Sequence, residues 1–287
     1  MRIAGTRLGA FTPHCARIDP ARLVLGLARA VEARGARIHD GTTALEVGPS
    51  RILTDRGTIR ADTVVLATEA WTATLPTRRR SVVPIYSLMV ATEPLPPAFW
   101  DEIGWSGAET VTDGRRLIVY AQRTADNRIA FGGRGAPYHF ASRIDPRFDR
   151  DPRTFDALRS ALTEMFPAAR DAMITHRWGG PLGVPRDWTP SVTVQRARRH
   201  ARIGGYVGDG VAATNLFART VFDVWHQRDT SLTALPFVGH ESPRWEPEPL
   251  RFVAINSLLR LSERIDRHEQ RHGKRPRVLA KIFESLI

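Results

Sequence analysis

A glycine-rich turn is the part of this sequence best suited to hold a ligand. Residues 204–210 read GGYVGDG; they end a predicted strand that begins at residue 201 and lead into a predicted helix, 211–226. Glycines let a ligand approach the backbone closely, and the free N–H groups at a helix N-terminus stabilise an anion. The glycines are not spaced as Gly-x-Gly-x-x-Gly, so the turn is not an ordinary dinucleotide fingerprint. Taken alone, it fits tight packing as well as ligand binding.

Five side chains elsewhere are of types that could act on a substrate. His176 could serve as a base, and Arg134 and Arg177 could pair with a carboxylate. The rings of Tyr86 and Tyr120 could line an amine site, because a cation over an aromatic ring gains about 0.5–2 kcal/mol. Each also has a structural interpretation: a hydrogen-bonded histidine, solvated arginines, or tyrosines packed in the core.

The composition excludes several kinds of catalysis. Of the 42 basic side chains only Lys274 and Lys281 are lysines, so no P-loop is present and a pyridoxal Schiff base is disfavoured. His-Glu-x-x-His and Gly-x-Ser-x-Gly are also absent. The single cysteine, Cys15, excludes an intramolecular disulfide, and it has no partners at metal-ligand spacing, so no metal is expected. What remains is chemistry carried by a cofactor that backbone groups and arginines hold.

The net charge of +12 raises the question of nucleic-acid binding. Selection for phosphate binding gives little reason to avoid lysine, and the arginines are spread along the chain, so we expect no nucleic-acid partner. No apolar stretch reaches the roughly 18 residues of a membrane helix, and the first residues form no apolar leader. We therefore expect a cytoplasmic protein with no membrane partner.

Hydrophobic periodicity predicts the elements that must position these residues. Asp19 and Pro20 begin a helix that Gly35 ends, and a short strand is predicted at 36–39. Turn residues then separate the three strands of a meander, which leads into a buried parallel strand at 62–68. Further strands are predicted at 83–91, 115–121, 128–133, 173–178 and 191–194, and further helices at 151–166 and 252–271. The last helix is basic and amphipathic; it could lie on a membrane surface, but packing against the protein is the expectation.

Four segments carry a family resemblance through their order and spacing. Residues 19–27 (DPARLVLGL) are similar to a helix signature, and 62–71 (DTVVLATEAW) to a strand signature. Residues 177–190 contain a Trp-Gly and a Thr-Pro pair, and 205–211 (GYVGDGV) are similar to a flavin-facing turn. In this order they resemble the glycine/D-amino acid oxidase (DAO) family of FAD-dependent oxidoreductases, in particular its gamma-glutamylputrescine oxidoreductase-like branch.

The resemblance implies an α/β fold. The implied fold has a FAD/NAD(P)-binding-like domain, which is incomplete because its first βαβ unit is missing. An antiparallel-sheet substrate domain is inserted into this domain. The expected segments are 1–81 and 195–240 for the FAD-binding domain, 82–194 for the substrate-binding domain, and 241–287 for a C-terminal loop and helix.

The resemblance also implies roles for single residues. FAD would contact Val47 on its adenine side and Ala67 and Thr68 along its ADP portion. The isoalloxazine ring would face the turn through Gly205, Gly208, Asp209, Gly210 and Val211. His176 and Asp209 would be the catalytic candidates, and the substrate-binding candidates would be Tyr86, Tyr120, Arg134 and Arg177. The implied reaction oxidises the C–N bond of a small amine or amino acid by hydride transfer to flavin N5.

The sequence departs from the family pattern in four places. No strand–Gly-x-Gly-x-x-Gly–helix unit is present to hold the FAD pyrophosphate. Glu69 replaces a glycine, and its carboxylate would repel a nearby phosphate; Asp209 replaces a histidine. Ala212 takes the place of a lysine that binds a substrate carboxylate, which weakens the case for a simple amino acid. These departures predict a truncated chain that binds FAD weakly; the alternative is a non-catalytic or partner-completed subunit, whose partner chain supplies the βαβ unit.

Overall fold

Six α-helices and eleven β-strands make up the part of the chain that the structure describes, residues 1–133, 135 and 137–284 of a computed structural model. The helices are α1 Pro20–Glu32, α2 Pro97–Ile103, α3 Pro152–Met165, α4 Gly210–Trp225, α5 Leu250–His272 and α6 Arg277–Glu284. The strands are β1 Ala44–Gly48, β2 Arg51–Thr54, β3 Gly57–Arg60, β4 Val64–Leu66, β5 Val83–Thr92, β6 Thr110–Thr112, β7 Val119–Arg123, β8 Ile129–Gly133, β9 Ile174–Val184, β10 Ser191–Gln195 and β11 His200–Gly204.

The strands form three sheets. An antiparallel meander has the order β1-β2-β3. A mixed sheet has the order β10-β11-β4, in which β11 pairs with β4 in parallel and with β10 antiparallel. An antiparallel sheet has the order β6-β7-β8-β5-β9. Parallel and antiparallel sheets combined with helices confirm the predicted α/β class, and the segment boundaries proposed from the sequence stay a prediction.

Helix α1 begins as its sequence predicts. Asp19 is the N-cap, and its carboxylate accepts a hydrogen bond of 3.0 Å from the N–H of Arg22, which satisfies one of the free donors of the first turn. Pro20 occupies the first helical position, where its fixed φ favours the helix. The helix ends at Glu32, and Gly35 adopts a φ of +89° three residues later. No residue of α1 is buried, so its apolar stripe contacts little of the described chain.

The strand predicted at 36–39 is absent from the described structure, so that prediction is wrong. A strand exists only where a neighbour accepts and donates its backbone hydrogen bonds, and no described strand pairs with this segment. The other strand predictions differ only in extent. The strand predicted from 115 begins at Val119, and the one predicted from 201 to 207 is β11, which ends at Gly204.

The largest core lies on one face of the five-stranded sheet. There α2 and α3 bury aromatic and aliphatic side chains against Leu88, Val90 and Phe131. Phe155, Leu158 and Leu162 of α3 supply the facing stripe at helical spacing. The opposite face of this sheet is less covered, and it borders the glycine-rich turn. Among the described helices, none combines the length and apolarity needed to cross a membrane.

Candidate functional site

The mixed sheet brings together two segments that the sequence places far apart. Val64 pairs with His200 and Leu66 with Arg202, so β4 and β11 run side by side in the same direction. Their carboxyl ends therefore meet at one edge of the sheet, where ligands bind in open α/β folds. Ala67 and Thr68 follow β4 at this edge, and the glycine-rich turn follows β11. The two segments are therefore neighbours at this edge.

The glycines of the turn have different roles. Gly205 is buried with a φ of +80°, and a Cβ there would lie 2.6 Å from Cγ of Pro185, so this glycine serves close packing. Gly208, with a φ of +113°, is exposed, as are Asp209 and Val211. The side chain of Asp209 makes no capping hydrogen bond to α4, whose first turn begins at Gly210. The first N–H groups of α4 have no acceptor within the helix and face an open surface.

Glu69 binds the beginning of the turn. Its carboxylate accepts hydrogen bonds from the N–H of Gly205 at 3.1 Å and from the N–H of Tyr206 at 3.0 Å. Glu69 itself has a φ of +44°, a left-handed conformation in which a residue with a side chain is strained. The carboxylate that was expected to repel a phosphate is thus bound to the turn, a role the sequence did not indicate.

Burial shapes the electrostatics around Glu69. Burial raises the pKa of the Glu69 carboxyl, although the hydrogen bonds from Gly205 and Tyr206 act in the opposite direction. Burial and the nearby Glu69 charge raise the pKa of Tyr206 to about 12. Gly183 of β9 lies close by, and a Cβ there would be 2.4 Å from Oε2 of Glu69. The carboxylate therefore occupies a tight pocket between β9 and the turn.

The less covered face of the five-stranded sheet is the second half of the site. Strand residues alternate between faces, and the register of β5 with β8 and β9 places Met89, Gly132 and Trp178 on one face. Tyr120, opposite Gly132, lies on the same face, and its hydroxyl is 2.8 Å from Oγ of Ser87. A Cβ on Gly132 would lie 2.4 Å from the Tyr120 ring, so the missing side chain makes room for that ring.

His176 also lies on this face. It pairs with Ala91 at the far end of β9, its ring is exposed, and Nδ1 is 2.9 Å from Oγ1 of Thr175. At the other end of the face, Val83 and Val184 pack against Val207 of the turn. The sheet face and the turn are therefore neighbours.

Tyr86 and Arg177 lie on the opposite face of the sheet. Tyr86 is 1% exposed, and its hydroxyl accepts a hydrogen bond of 3.2 Å from the N–H of Asp145. Burial raises the pKa of the Tyr86 hydroxyl. Arg177 borders a separate cavity of about 350 Å³ beside the N-terminus of α3. The structure thus places Tyr120 and His176 on the same face, about 14 Å apart across three strand spacings, and separates both from Tyr86 and Arg177.

The remaining predicted residues are distributed more widely. Val47 is half-buried in β1 of the meander, where it pairs with Ile52. Ala67 is exposed, and Thr68 is half-buried with its Oγ1 at 2.8 Å from Oγ1 of Thr72. Arg134 lies outside the described residues.

The arrangement of a parallel strand pair that ends in a glycine turn, beside an antiparallel sheet with one accessible face, is shared with solved structures of amino-acid oxidoreductases. The crystal structure of glycine oxidase from Geobacillus kaustophilus superposes with a TM-score of 0.62 at 22% sequence identity, covering 75% of this chain and 56% of that one. L-proline dehydrogenase from P. horikoshii also gives 0.62, at 19% identity, with 75% and 57% covered. These likenesses establish the fold.

The particular family follows from the sequence match. The model of the DAO family, described as FAD dependent oxidoreductase, matches residues 2–224, so the chain belongs to this family and the resemblance is confirmed. "Probable oxidoreductase OrdL" of Rhizobium meliloti (strain 1021) is 33% identical over 232 residues, 76% of this chain and 49% of that protein. "Gamma-glutamylputrescine oxidoreductase" of Escherichia coli (strain K12) is 25% identical over 233 residues, 75% of this chain and 50% of that protein. The chain spans about half the length of these curated relatives.

Proposed function

We propose that this chain forms the substrate side and part of the cofactor side of an FAD-dependent oxidoreductase that oxidises the C–N bond of a small amine. One observation carries the proposal: the exposed N-terminus of α4 and the accessible sheet face that bears Tyr120 and His176 adjoin each other across Val207. An electron-accepting ring between them would have backbone N–H groups on one side and a substrate on the other.

The described residues fit a flavin at this place. Gly208 is exposed and leaves the backbone open, and the uncapped N–H groups of α4 would stabilise the negative charge that a reduced flavin ring carries. Ala67 and Thr68 would border the ADP portion, and Val47 the adenine. The chemistry supplied by bound FAD is acceptance of the hydride from the carbon that carries the amine; water then hydrolyses the imine, and oxygen or another acceptor reoxidises the cofactor.

The chain's own residues would bind the amine and move its proton. Asp209, exposed at the start of α4, would accept the proton that the ammonium loses before oxidation. His176, the other candidate, pairs with Ala91, eight residues along β5 from Val83, so it lies about 26 Å from the end of the face that meets the turn. Tyr120, held by Ser87, would orient the amine beside its ring. The position of Ala212 on the first turn of α4 provides no cation for a substrate carboxylate, which favours an amine over a simple amino acid.

We further propose that a partner chain supplies a strand–turn–helix unit that covers the exposed apolar side chains of α1 and pairs with the free edge of β4. In α1, the apolar side chains of Leu23, Val24 and Leu27 are 51%, 65% and 61% exposed. Val65 of β4 is 50% exposed, and within the described residues β4 pairs with β11 alone. Covering each of these partly exposed side chains would gain about 1–2 kcal/mol, so a parallel strand on β4 with its helix would be stabilised here. This chain alone would then bind FAD weakly, as part of a partner-completed enzyme.

The test is a titration with FAD followed by flavin absorbance. It compares the 287-residue chain with a fusion that carries an added N-terminal strand–Gly-x-Gly-x-x-Gly–helix unit. We expect weak binding by the chain and tight retention by the fusion, whose yellow absorbance bleaches when 1,4-diaminobutane is added without oxygen. Tight retention by the chain alone would refute the need for the unit. Absence of flavin from both forms would refute the proposed function.

A further inference from the structure

Helix α5 contacts the candidate substrate face from outside the region that matches the family model, which ends at residue 224. We propose that Asp266 of α5 is a positioning residue, which fixes the loop 113–118 and through it the place of Tyr120. The inference concerns the substrate side of the site and rests on the proposed function for its catalytic consequence.

Asp266 binds the backbone of the loop directly. Its Oδ1 accepts a hydrogen bond of 3.1 Å from the N–H of Arg116, and its Oδ2 accepts one of 3.0 Å from the N–H of Leu117. The side chain of Asp266 is 11% exposed, so water competes little for these bonds. A carboxylate with one oxygen for each of two successive N–H groups fixes the orientation of both peptide units.

Charged side chains reinforce the same contact. Nη1 of Arg116 lies 3.4 Å from Oδ1 of Asp266 and 3.0 Å from Oε1 of Glu269, one turn further along α5. At the other side of the loop, Oδ1 of Asp113 accepts a hydrogen bond of 3.1 Å from the N–H of Val119, the first residue of β7. Carboxylates therefore bind the loop from two sides, Asp113 from within the loop and Asp266 and Glu269 from α5, and of the two on α5 Asp266 binds the backbone.

The loop leads directly into the strand that carries Tyr120. Leu117 precedes Tyr120 by three residues, and Tyr120 must reach Ser87 two strands away to make its 2.8 Å hydrogen bond. Nearer its N-terminus, α5 packs Ile255 and Leu259 against Val83 and Ile85 on that same sheet face. One helix thus contacts the face at its base and fixes the loop at its edge, so a change at Asp266 should reach the site through Tyr120.

The experiment compares Asp266→Asn with Glu269→Gln in the full chain. Asn retains one acceptor oxygen and presents an N–H to the second backbone donor, whereas Glu269→Gln changes only the ion pair of Arg116 and leaves the backbone contacts intact. Amide hydrogen exchange reports on Arg116 and Leu117. We expect exchange at these two amides to become at least about tenfold faster in Asp266→Asn and to stay unchanged in Glu269→Gln.

A second readout follows Tyr120 itself. The chain contains four tyrosines, so ¹³C-tyrosine labelling gives four ring signals, and Tyr120→Phe assigns the relevant one. Asp266→Asn should move this signal and leave the other three in place. In the flavin-loaded fusion, KM for 1,4-diaminobutane should rise several-fold while kcat changes by less than about twofold, as expected for a displaced binding group.

Unchanged exchange together with an unmoved Tyr120 signal would overturn the proposal. If both move but no form of the protein oxidises an amine, the positioning role stands and the proposed function fails. Should Asp266→Asn not fold, Asp266→Glu, which displaces the carboxylate by one methylene, provides the same comparison, with loss of protection at the same two amides as the expected result.

Discussion

The contact between Glu69 and the turn gives the sharpest prediction on stability. Replacing Glu69 by Ala leaves the N–H groups of Gly205 and Tyr206 without their acceptor, and each buried donor left unsatisfied costs about 1–3 kcal/mol. The left-handed φ of +44° persists in this variant, so its strain is not relieved. Because the residue is half-buried and water reaches part of the pocket, we expect a loss of about 2–4 kcal/mol in the free energy of unfolding.

Two further substitutions at Glu69 distinguish the contribution of the backbone conformation to stability from that of the carboxylate. Gly adopts a positive φ freely, so Glu69→Gly should be more stable than Glu69→Ala by about 1 kcal/mol. Gln keeps one acceptor oxygen and removes a partly buried charge, so Glu69→Gln should cost no more than about 1.5 kcal/mol. Urea unfolding measures all three, and Glu263→Gln, an exposed carboxylate on α5, controls for the change in charge.

The pH dependence follows from the raised pKa of Glu69. A carboxyl whose pKa is higher in the folded than in the unfolded protein binds its proton more tightly when folded, so its contribution to stability is greatest below the ordinary value of 4.5. The stability of the unsubstituted chain relative to Glu69→Gln should therefore fall as the pH rises from 4.5 towards neutrality. A Glu69→Ala variant as stable as Glu263→Gln, or a stability difference from Glu69→Gln that rises with pH, would refute this reasoning.

Three further predictions concern the turn, the sheet faces and α1. Gly205→Ala brings a Cβ against a proline ring and should lower the free energy of unfolding by about 2 kcal/mol or more. Gly208→Ala, at an exposed position, should lower it by about 1 kcal/mol, for its positive φ alone. Urea unfolding that reverses this order would contradict the packing role of Gly205. Tyr120→Phe should raise KM for the amine in the flavin-loaded fusion. Tyr86→Phe should lower the free energy of unfolding by about 1 kcal/mol and leave KM unchanged. Equal effects on KM would contradict the placement of the two tyrosines on opposite faces of the sheet. Leu27→Ser should leave the urea midpoint of the chain alone unchanged, because the side chain is 61% exposed. The same substitution should weaken binding of the strand–turn–helix unit in a titration. Undiminished binding would exclude α1 from the surface that binds this unit.

Local signals in the sequence predicted most elements correctly. The capping of α1 by Asp19, the turns of the meander and the glycine turn before α4 all depend on residues within a few positions of one another. The strand at 36–39 could not form for a non-local reason, since its existence depends on a neighbour that the described residues do not provide. Extended segments need partners that their own residues do not encode.

The candidate site was predictable only in part. The run at 83–91 is apolar on both faces of β5, so alternation did not reveal that Tyr86 faces the core while Ser87 faces Tyr120. Glu69 and Gly205 are 136 positions apart, and only the parallel pairing of β4 with β11 brings them together. In the sequence, only the replacement of a family glycine by Glu69 marked this position, and the positive φ that explains the glycine is visible in the structure alone.

In the proposed function, the N-terminus of α4 faces the flavin. The most direct measurement is FAD retention, by absorbance after gel filtration, in the fusion carrying either Val211→Asp or Ala218→Asp. Both side chains belong to α4 and are exposed, so the two variants add the same charge with little effect on folding, but only the first places it on the opening turn. We predict that Val211→Asp loses its flavin while Ala218→Asp keeps it. Equal retention by the two variants would contradict the claim.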